Sequence, residues 1–295
     1  MTYLIEILKS ILYGVVEGIT EWLPVSSTGH LILVEDFLPF RFSNDAAFVA
    51  EFGEMFQVVI QLGAILAVVV LFWGRLWPFG KSKTRDERRG TWTLWFKVLV
   101  ASLPAAFAGI VLDKVLEILT SKDIDGWLYN SLVVAVALIV YGIAFILVER
   151  RKGTKPPRVE RVEDITYLTA LGIGAFQVLS LVPGTSRSGS TILGSMMLGL
   201  SRTAGAEFSF FMAIPVMVGA SGIKVLGFLK YIVESAVTVP AMAWVTLAVG
   251  CLVSFVVSLI AIRFLMDFVK RHSFAPFGVY RIVLGVLVVV FWLVR

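Results

Sequence analysis

The sequence has one cysteine, two histidines and few charges. A lone thiol, Cys251, excludes an intramolecular disulfide, and its apolar surroundings make it a buried structural group. Only 16% of the residues are charged, whereas a soluble domain carries about a quarter. With 58% hydrophobic residues and a mean hydropathy of +0.89, a soluble globular chain is excluded. The N-terminus also lacks an unbroken apolar core and a small-x-small cleavage site. Glu6, Glu17 and Glu21 interrupt it, so it is expected to stay in the mature chain.

What is present is a series of apolar runs roughly 20 residues long, the length of a membrane-crossing helix. The expected fold is an all-α polytopic membrane protein, residues 1–295 forming one membrane domain. Six segments read as full spans: 52–73, 93–112, 128–148, 203–223, 241–262 and 279–294. Two further apolar stretches are broken. Residues 2–38 are interrupted at Pro24 by "PVSSTGH", and 166–200 at Pro183 by "PGTSRSGST". Short Pro/Gly-broken pairs at corresponding places in two halves predict re-entrant helical hairpins.

Basic residues set the expected orientation. Arg75, Lys81, Lys83, Arg85, Arg88, Arg89 and Lys97 lie in 74–97. Arg150, Arg151, Lys152, Lys155, Arg158 and Arg161 lie in 149–164, and Arg263, Lys270, Arg271 and Arg281 in 263–281. These are 17 of the 26 Lys and Arg, so the net charge of +5 reflects topology and not a nucleic-acid surface. The positive-inside rule puts these three segments in the cytoplasm, and the acid-containing 113–127 and 224–240 outside. The hairpins then enter from opposite faces. Each half, 1–149 and 164–295, is one hairpin plus three spans, an inverted-topology repeat. "GVVEGIT" (14–20) against "GAFQVLS" (174–180) supports this weakly, the Pro-plus-Ser turns that follow align only with a gap, and Glu54 and Glu207 take comparable positions.

Each hairpin tip is Pro, then Ser/Thr/Gly, then a new helix. Helix N-termini offer free N–H groups and partial positive charge, so two facing tips make an anion site with phosphate the natural ligand. The candidate phosphate-binding residues are Ser26, Thr28, Gly184, Thr185, Ser186, Ser188 and Thr191. Arg187, costly at membrane depth, has the planar fork that fits phosphate oxygens; the alternative is an ion pair with Glu17 or Glu21 that only fastens the tips. Glu17 and Glu21 lie four apart on one helix face. Either a divalent cation, Mg²⁺ or Ca²⁺, sits between them and a phosphate, or they are protonated. His30, one turn into the second half-helix, is a candidate acid, base or nucleophile, whereas His272 falls in a basic loop as a solvated group. Glu54, Gln57, Gln61, Gln177 and Glu207 are candidates for a supporting polar layer or for helix–helix glue.

"EGITEWLPVSSTGH" (17–30) together with "PGTSRSGST" (183–191) resembles the bacterial undecaprenyl-diphosphate phosphatase family, also called the bacitracin-resistance phosphatases. The resemblance covers the whole chain, including "VVIQLGAILAVVV" and "EFSFFMAIPVMVGA". It implies hydrolysis of undecaprenyl diphosphate to undecaprenyl phosphate and phosphate, which recycles the lipid carrier of cell-wall synthesis. It implies an integral protein of the bacterial inner membrane, a divalent cation, and a site open to the extracytoplasmic face. It implies functional roles for Glu17, Glu21, Ser27, His30 and Arg187, with Ser27 or a water attacking and His30 handling protons. A homodimer is compatible with such a protein. The rival reading is a polyprenyl-phosphate flippase using the same midplane site, since inverted repeats and broken helices are the design of secondary carriers. A lipid phosphatase using paired histidines would need His272 at the site.

Overall fold

The computed structural model describes residues 2–120, 128, 130–153 and 156–294. Among them the chain is helical: α1 (Thr2–Thr20), α2 (Ser27–Phe37), α3 (Ala46–Leu71), a short α4 (Trp73–Leu76), α5 (Arg85–Thr120), α6 (Ser131–Lys152), α7 (Tyr167–Gln177), α8 (Arg187–Met197), α9 (Arg202–Ser235), α10 (Ala241–Arg271) and α11 (Ala275–Val294). Several starts are fixed by side-chain caps. Asp45 accepts from Phe48 N at 3.0 Å, Asn130 from Val133 N at 3.0 Å, and Ser201 from Ala204 N at 3.0 Å.

Among the described residues, six helices are long and apolar enough to cross a membrane: α3, α5, α6, α9, α10 and α11. They are the six expected from the apolar runs; each is longer overall, but α3 stops at Leu71 rather than 73, and α6 starts at Ser131 rather than 128. α5 begins within the expected basic loop, and α9 runs to Ser235, which shortens the acidic outer loop. Residues 121–127 of the other outer loop, and Lys155 of a basic one, lie outside the described residues. The remaining apolar stretches are the broken pairs α1/α2 and α7/α8, compatible with re-entrant hairpins. A 3₁₀ turn (Val178–Leu181) follows α7.

The packing survives exchange of the two halves. α1 lies on α10, and α7 on α5; α3 meets α9 and α10, and α9 meets α3 and α5; α6 lies on α11. Small residues allow these close approaches. A Cβ on Gly14 would lie 2.7 Å from Gly250 O, and one on Gly142 2.6 Å from Gly278 O and 2.7 Å from Ile282. One on Gly278 would meet Gly142 O at 2.7 Å and Ile146 at 3.0 Å, the same contacts with the halves exchanged.

This register corrects three expectations. The serine caps align without a gap, although the prolines before them stay one residue out of step: Ser26 lies twelve residues after Gly14, and Ser186 twelve after Gly174. Glu207 corresponds to Glu51 rather than Glu54, since each is followed by Phe and, twelve residues on, by Gly-Ala. Arg281 is no loop charge. It sits in α11 with no exposed surface; a single Arg between apolar neighbours was counted with the preceding loop because it stands only ten residues beyond Arg271.

Candidate active site at the two helix tips

α1 stops at Thr20, and α2 restarts with Ser26 as its cap. Ser26 has φ of +76° and accepts from Gly29 N at 3.3 Å. At the other tip Ser186 has φ of +72° and accepts from Gly189 N at 3.0 Å. A positive φ at a residue other than glycine costs of order 1–3 kcal/mol and persists where surrounding structure enforces it. Both tips therefore hold the same strained Ser-x-x-Gly cap.

The tips meet. Arg187, first residue of α8, donates from Nη2 to Glu21 Oε1 at 2.6 Å and from Nη1 to Ser209 O of α9 at 2.7 Å. Its guanidinium also lies 5.9 Å from the Trp22 ring. Ser27 Oγ donates to the second Glu21 oxygen at 2.5 Å. Ser188 Oγ donates to Glu21 O at 2.9 Å, a further tie between the tips. A cavity of about 180 Å³ opens beside this constellation. Glu21, Ser26, Ser27 and Thr28 line it from the first tip, and Gly184, Ser186 and Arg187 from the second. Gln61 of α3 and Met217 of α9 close the wall.

Glu17 lies one turn below Glu21. It has no exposed surface, and neither of its carboxyl oxygens receives a hydrogen bond. Its charged neighbours are Glu21 and Arg187. A buried acceptor pair with no donor calls for a proton or a cation. The Glu17 and Glu21 carboxylates supply the hard oxygens a divalent cation prefers. Among the described residues no cluster of three or more His, Cys, Asp or Glu forms a ligand set. The residues thus fit a cation that takes its remaining ligands from water and phosphate, as Mg²⁺ commonly does.

Other expected residues fall elsewhere. His30 does not line the cavity. Its Nδ1 is 2.7 Å from Ser26 O, and because a carbonyl only accepts, Nδ1 carries the proton. Its Nε2 meets Tyr280 Oη at 2.7 Å, with the two rings parallel to within 4°. Thr185 Oγ1 donates to Leu179 O and Val182 O, and Thr191 Oγ1 to Arg187 O. These two hydroxyls, with Ser188, satisfy backbone carbonyls and do not face the cavity. Gln177 is buried with both side-chain polar atoms unpartnered. Gln57 donates to Glu35. Glu54 is exposed and pairs with Lys224 at 3.0 Å. Glu207 pairs with Arg75, which also pairs with Glu163, away from the tips. In that outlying cluster the Glu163 carboxyl, raised by burial, is brought below its ordinary value by its own backbone N–H and by Arg75. Cys251, expected to be buried, is only half-buried, with its thiol against Val59 O, while His272 is exposed at the end of α10, as expected.

Sequence reading missed Ser209, Trp22, Tyr280 and Arg281. Arg281 donates to carbonyls of both tips: Pro24 O at 2.9 Å, Gly184 O at 2.6 Å and Thr185 O at 2.8 Å. Its signal was legible as a lone basic residue between "PFGVY" and "IVLGVLVVVFWLV".

Comparison with known proteins gives the family. Residues 10–287 match the family model described as bacitracin resistance protein BacA. The chain is 50% identical over 285 residues to an undecaprenyl-diphosphatase of Enterococcus faecalis, covering 97% of each chain. It is 51% identical over 293 residues to the Streptococcus gordonii enzyme of that name, covering 99% of this chain and 98% of the other. It is 52% identical over 290 residues to that of Streptococcus mutans, covering 98% and 97%. With a family model spanning nearly its whole length and relatives at half identity, this chain belongs to the bacitracin resistance protein BacA family.

Proposed function

We propose that this chain is a membrane phosphatase that hydrolyses undecaprenyl diphosphate to undecaprenyl phosphate and inorganic phosphate. In that role it returns the lipid carrier to cell-wall synthesis and confers bacitracin resistance. The observation that carries the reading is the Ser27–Glu21–Arg187 chain, which borders a cavity between two capped helix N-termini. The relatives' names support the substrate.

The chemistry follows from the geometry. The helix N-termini and Arg187 hold the diphosphate oxygens. Ser27 Oγ attacks the terminal phosphorus, and its proton passes to Glu21, which already accepts it at 2.5 Å. The bond to the bridging oxygen breaks, and undecaprenyl phosphate leaves with the proton that Glu21 took from Ser27, which frees the carboxylate. Water then attacks the phosphoserine, Glu21 takes its proton and returns it to Ser27 Oγ, and phosphate departs. In the direct variant water attacks instead, activated by Glu21. A divalent cation would be held by Glu17 and Glu21, and would supply neutralisation of the phosphoryl charge. With Nδ1 committed to Ser26 O, His30 holds the tip and leaves the proton to Glu21.

We take the broken pairs as re-entrant hairpins of an inverted repeat, which the exchange-symmetric packing supports. The mouth is assigned to the extracytoplasmic side. Arg202 of α9 pairs with Glu149 beside the basic end of α6, the end the positive-inside rule places in the cytoplasm. The cavity touches α9 only at Val216, Met217 and Ala220, beyond that end. The same symmetry favours a second reading, a polyprenyl-phosphate flippase.

One experiment separates them: phosphate release from undecaprenyl diphosphate by purified protein in detergent, where there are no two compartments. Release that stops with a chelator and in Arg187→Ala supports the phosphatase. A folded preparation that binds the lipid and releases nothing sinks it and promotes the flippase. Ser27→Ala abolishes turnover on the covalent route. A measurable residual rate, with solvent ¹⁸O entering phosphate and no labile adduct, selects attack by water.

A further inference from the structure

Arg281 is the largest buried charge the proposed chemistry leaves unused. It has no exposed surface, and no carboxylate among the described residues pairs with it. A guanidinium at membrane depth is costly unless solvated or paired. Here its partners are three backbone carbonyls, one on the first tip and two on the second. The rings of Tyr141 and Phe145 lie at 5.2 Å and 6.0 Å. Its Nε is left without a partner.

Symmetry does not call for it. Phe145 stands three residues after Gly142 as Arg281 stands three after Gly278, and the two glycines make mirror contacts. The exchange-related position is therefore apolar. Packing of α6 on α11 is met by phenylalanine on one side, so the guanidinium answers some other need. That need is visible at the tips. A Cβ on Gly189 would lie 2.9 Å from Arg281 Nη1, and Gly184 has φ of +92°, so the second tip is shaped around the guanidinium. Next to it, Tyr280 meets His30 Nε2 and His30 meets Ser26 O, a second line from α11 to the first tip.

We infer that Arg281 is a positioning residue that fixes the two tips against each other through their carbonyls. A peptide plane whose C=O is held on Arg281 has its orientation fixed. With Pro24, Gly184 and Thr185 held on one guanidinium, the caps that follow them present their free N–H groups to the cavity together. Arg281 touches no reacting atom. The inference rests on the phosphatase reading for its kinetic part only.

The test uses the full chain in detergent and two measurements. Arg281→Met keeps the apolar stem that packs between Tyr141 and Phe145. Hydrogen exchange should rise in both tip segments, 24–30 and 183–190, and stay unchanged in α6 and α10. Turnover of undecaprenyl diphosphate should fall on the order of 10²-fold, since small misplacements in a site cost that much. KM should change less than about threefold, because binding of the polyprenyl tail is kept. Arg281→Lys, whose ammonium reaches the carbonyl of one tip and not of both, should protect one tip segment and fall between the two in kcat. If the methionine variant fails to fold, the lysine variant alone decides by this one-tip pattern. Unchanged exchange at the tips, or a wild-type kcat in a folded variant, overturns the inference. Loosened tips in a protein whose wild type releases no phosphate would uphold the positioning role and discard the phosphatase.

Discussion

The two tips share a backbone and differ in charge. Each has a serine cap at φ above +70°, a glycine three residues on, and a glycine twelve residues before the cap. At corresponding positions the first tip carries Glu17 and Ser27, and the second Gln177 and Arg187. On the proposed reading, an inverted repeat supplies two similar helix ends, one bearing an acid and a serine, the other a cation. A symmetric pair of tips would bind phosphate; an acid set between a serine and a guanidinium can also move a proton. Function on this reading lies in the broken symmetry, and the fold in the symmetry itself.

The largest effect comes from exchanging the opposed charges. Glu21→Ala and Arg187→Ala each leave a buried partner uncompensated, which costs about 3–5 kcal/mol when a buried pair is broken. Each should reduce turnover at least about 10³-fold, the scale of a lost electrostatic contact at a transition state. The exchange Glu21→Arg with Arg187→Glu restores an ion pair between the tips. Thermal stability should recover part of the single-variant loss, while phosphate release stays at the level of the singles, because Ser27 then faces a guanidinium that accepts no proton. Activity in the exchanged protein would show that the tips are chemically equivalent and break the comparison.

The sequence made the six spans and both breaks legible for direct reasons. Continuous apolar runs leave little choice in a membrane, and proline followed by hydroxyls stops a helix wherever it occurs. The acid pair and Arg187 stood out because polar groups inside apolar stretches are costly and few, whereas Ser27 stood out among its neighbouring hydroxyls only through the family resemblance. Thr185, Ser188 and Thr191 were overread: a hydroxyl's identity does not say whether it turns to a cavity or to a carbonyl of its own chain. The partner that orients His30 was illegible too, since Tyr280 is 250 residues distant. Arg281 and Ser209 were missed because their importance depends on which helices cross near the tips. Glu54 and Glu207 illustrate the opposite case, where a charge that looked central is satisfied by Lys224 or Arg75 on a neighbouring helix.

Glu17 and Gln177 sharpen the comparison further. Both are buried with unpartnered oxygens at matched places. Glu17→Gln makes the first tip like the second. Turnover should fall and its dependence on added Mg²⁺ should weaken, while the apparent unfolding midpoint holds or rises, because a donorless buried carboxylate has been removed. Gln177→Glu places a carboxylate where the native side chain is buried with neither polar atom partnered. It should destabilise by about 1–3 kcal/mol, the desolvation cost of an unsatisfied buried group, or more where charge persists, and should confer no second cation requirement. Titrating Mg²⁺ against phosphate release in both variants reads this directly. An undiminished cation requirement in Glu17→Gln would remove Glu17 from the proposed cation site.

The smallest effect tests whether the backbones are alike. Ser26 and Ser186 each accept one hydrogen bond from a glycine N–H three residues on. Alanine at either cap forfeits that bond and keeps the positive φ, so each should lower stability by about 1 kcal/mol. Glycine at either position takes the positive φ without strain, and a glycine cap costs only a few tenths of a kcal/mol relative to serine. Glycine should therefore fall nearer wild type than alanine at both tips. Apparent unfolding midpoints of the four variants in one detergent give the answer. Matching alanine losses with smaller glycine losses uphold a shared cap. A loss confined to Ser26, whose cap bond is the longer of the two, would mean that the first tip is held mainly by its own cap and the second by Arg281 and Ser188.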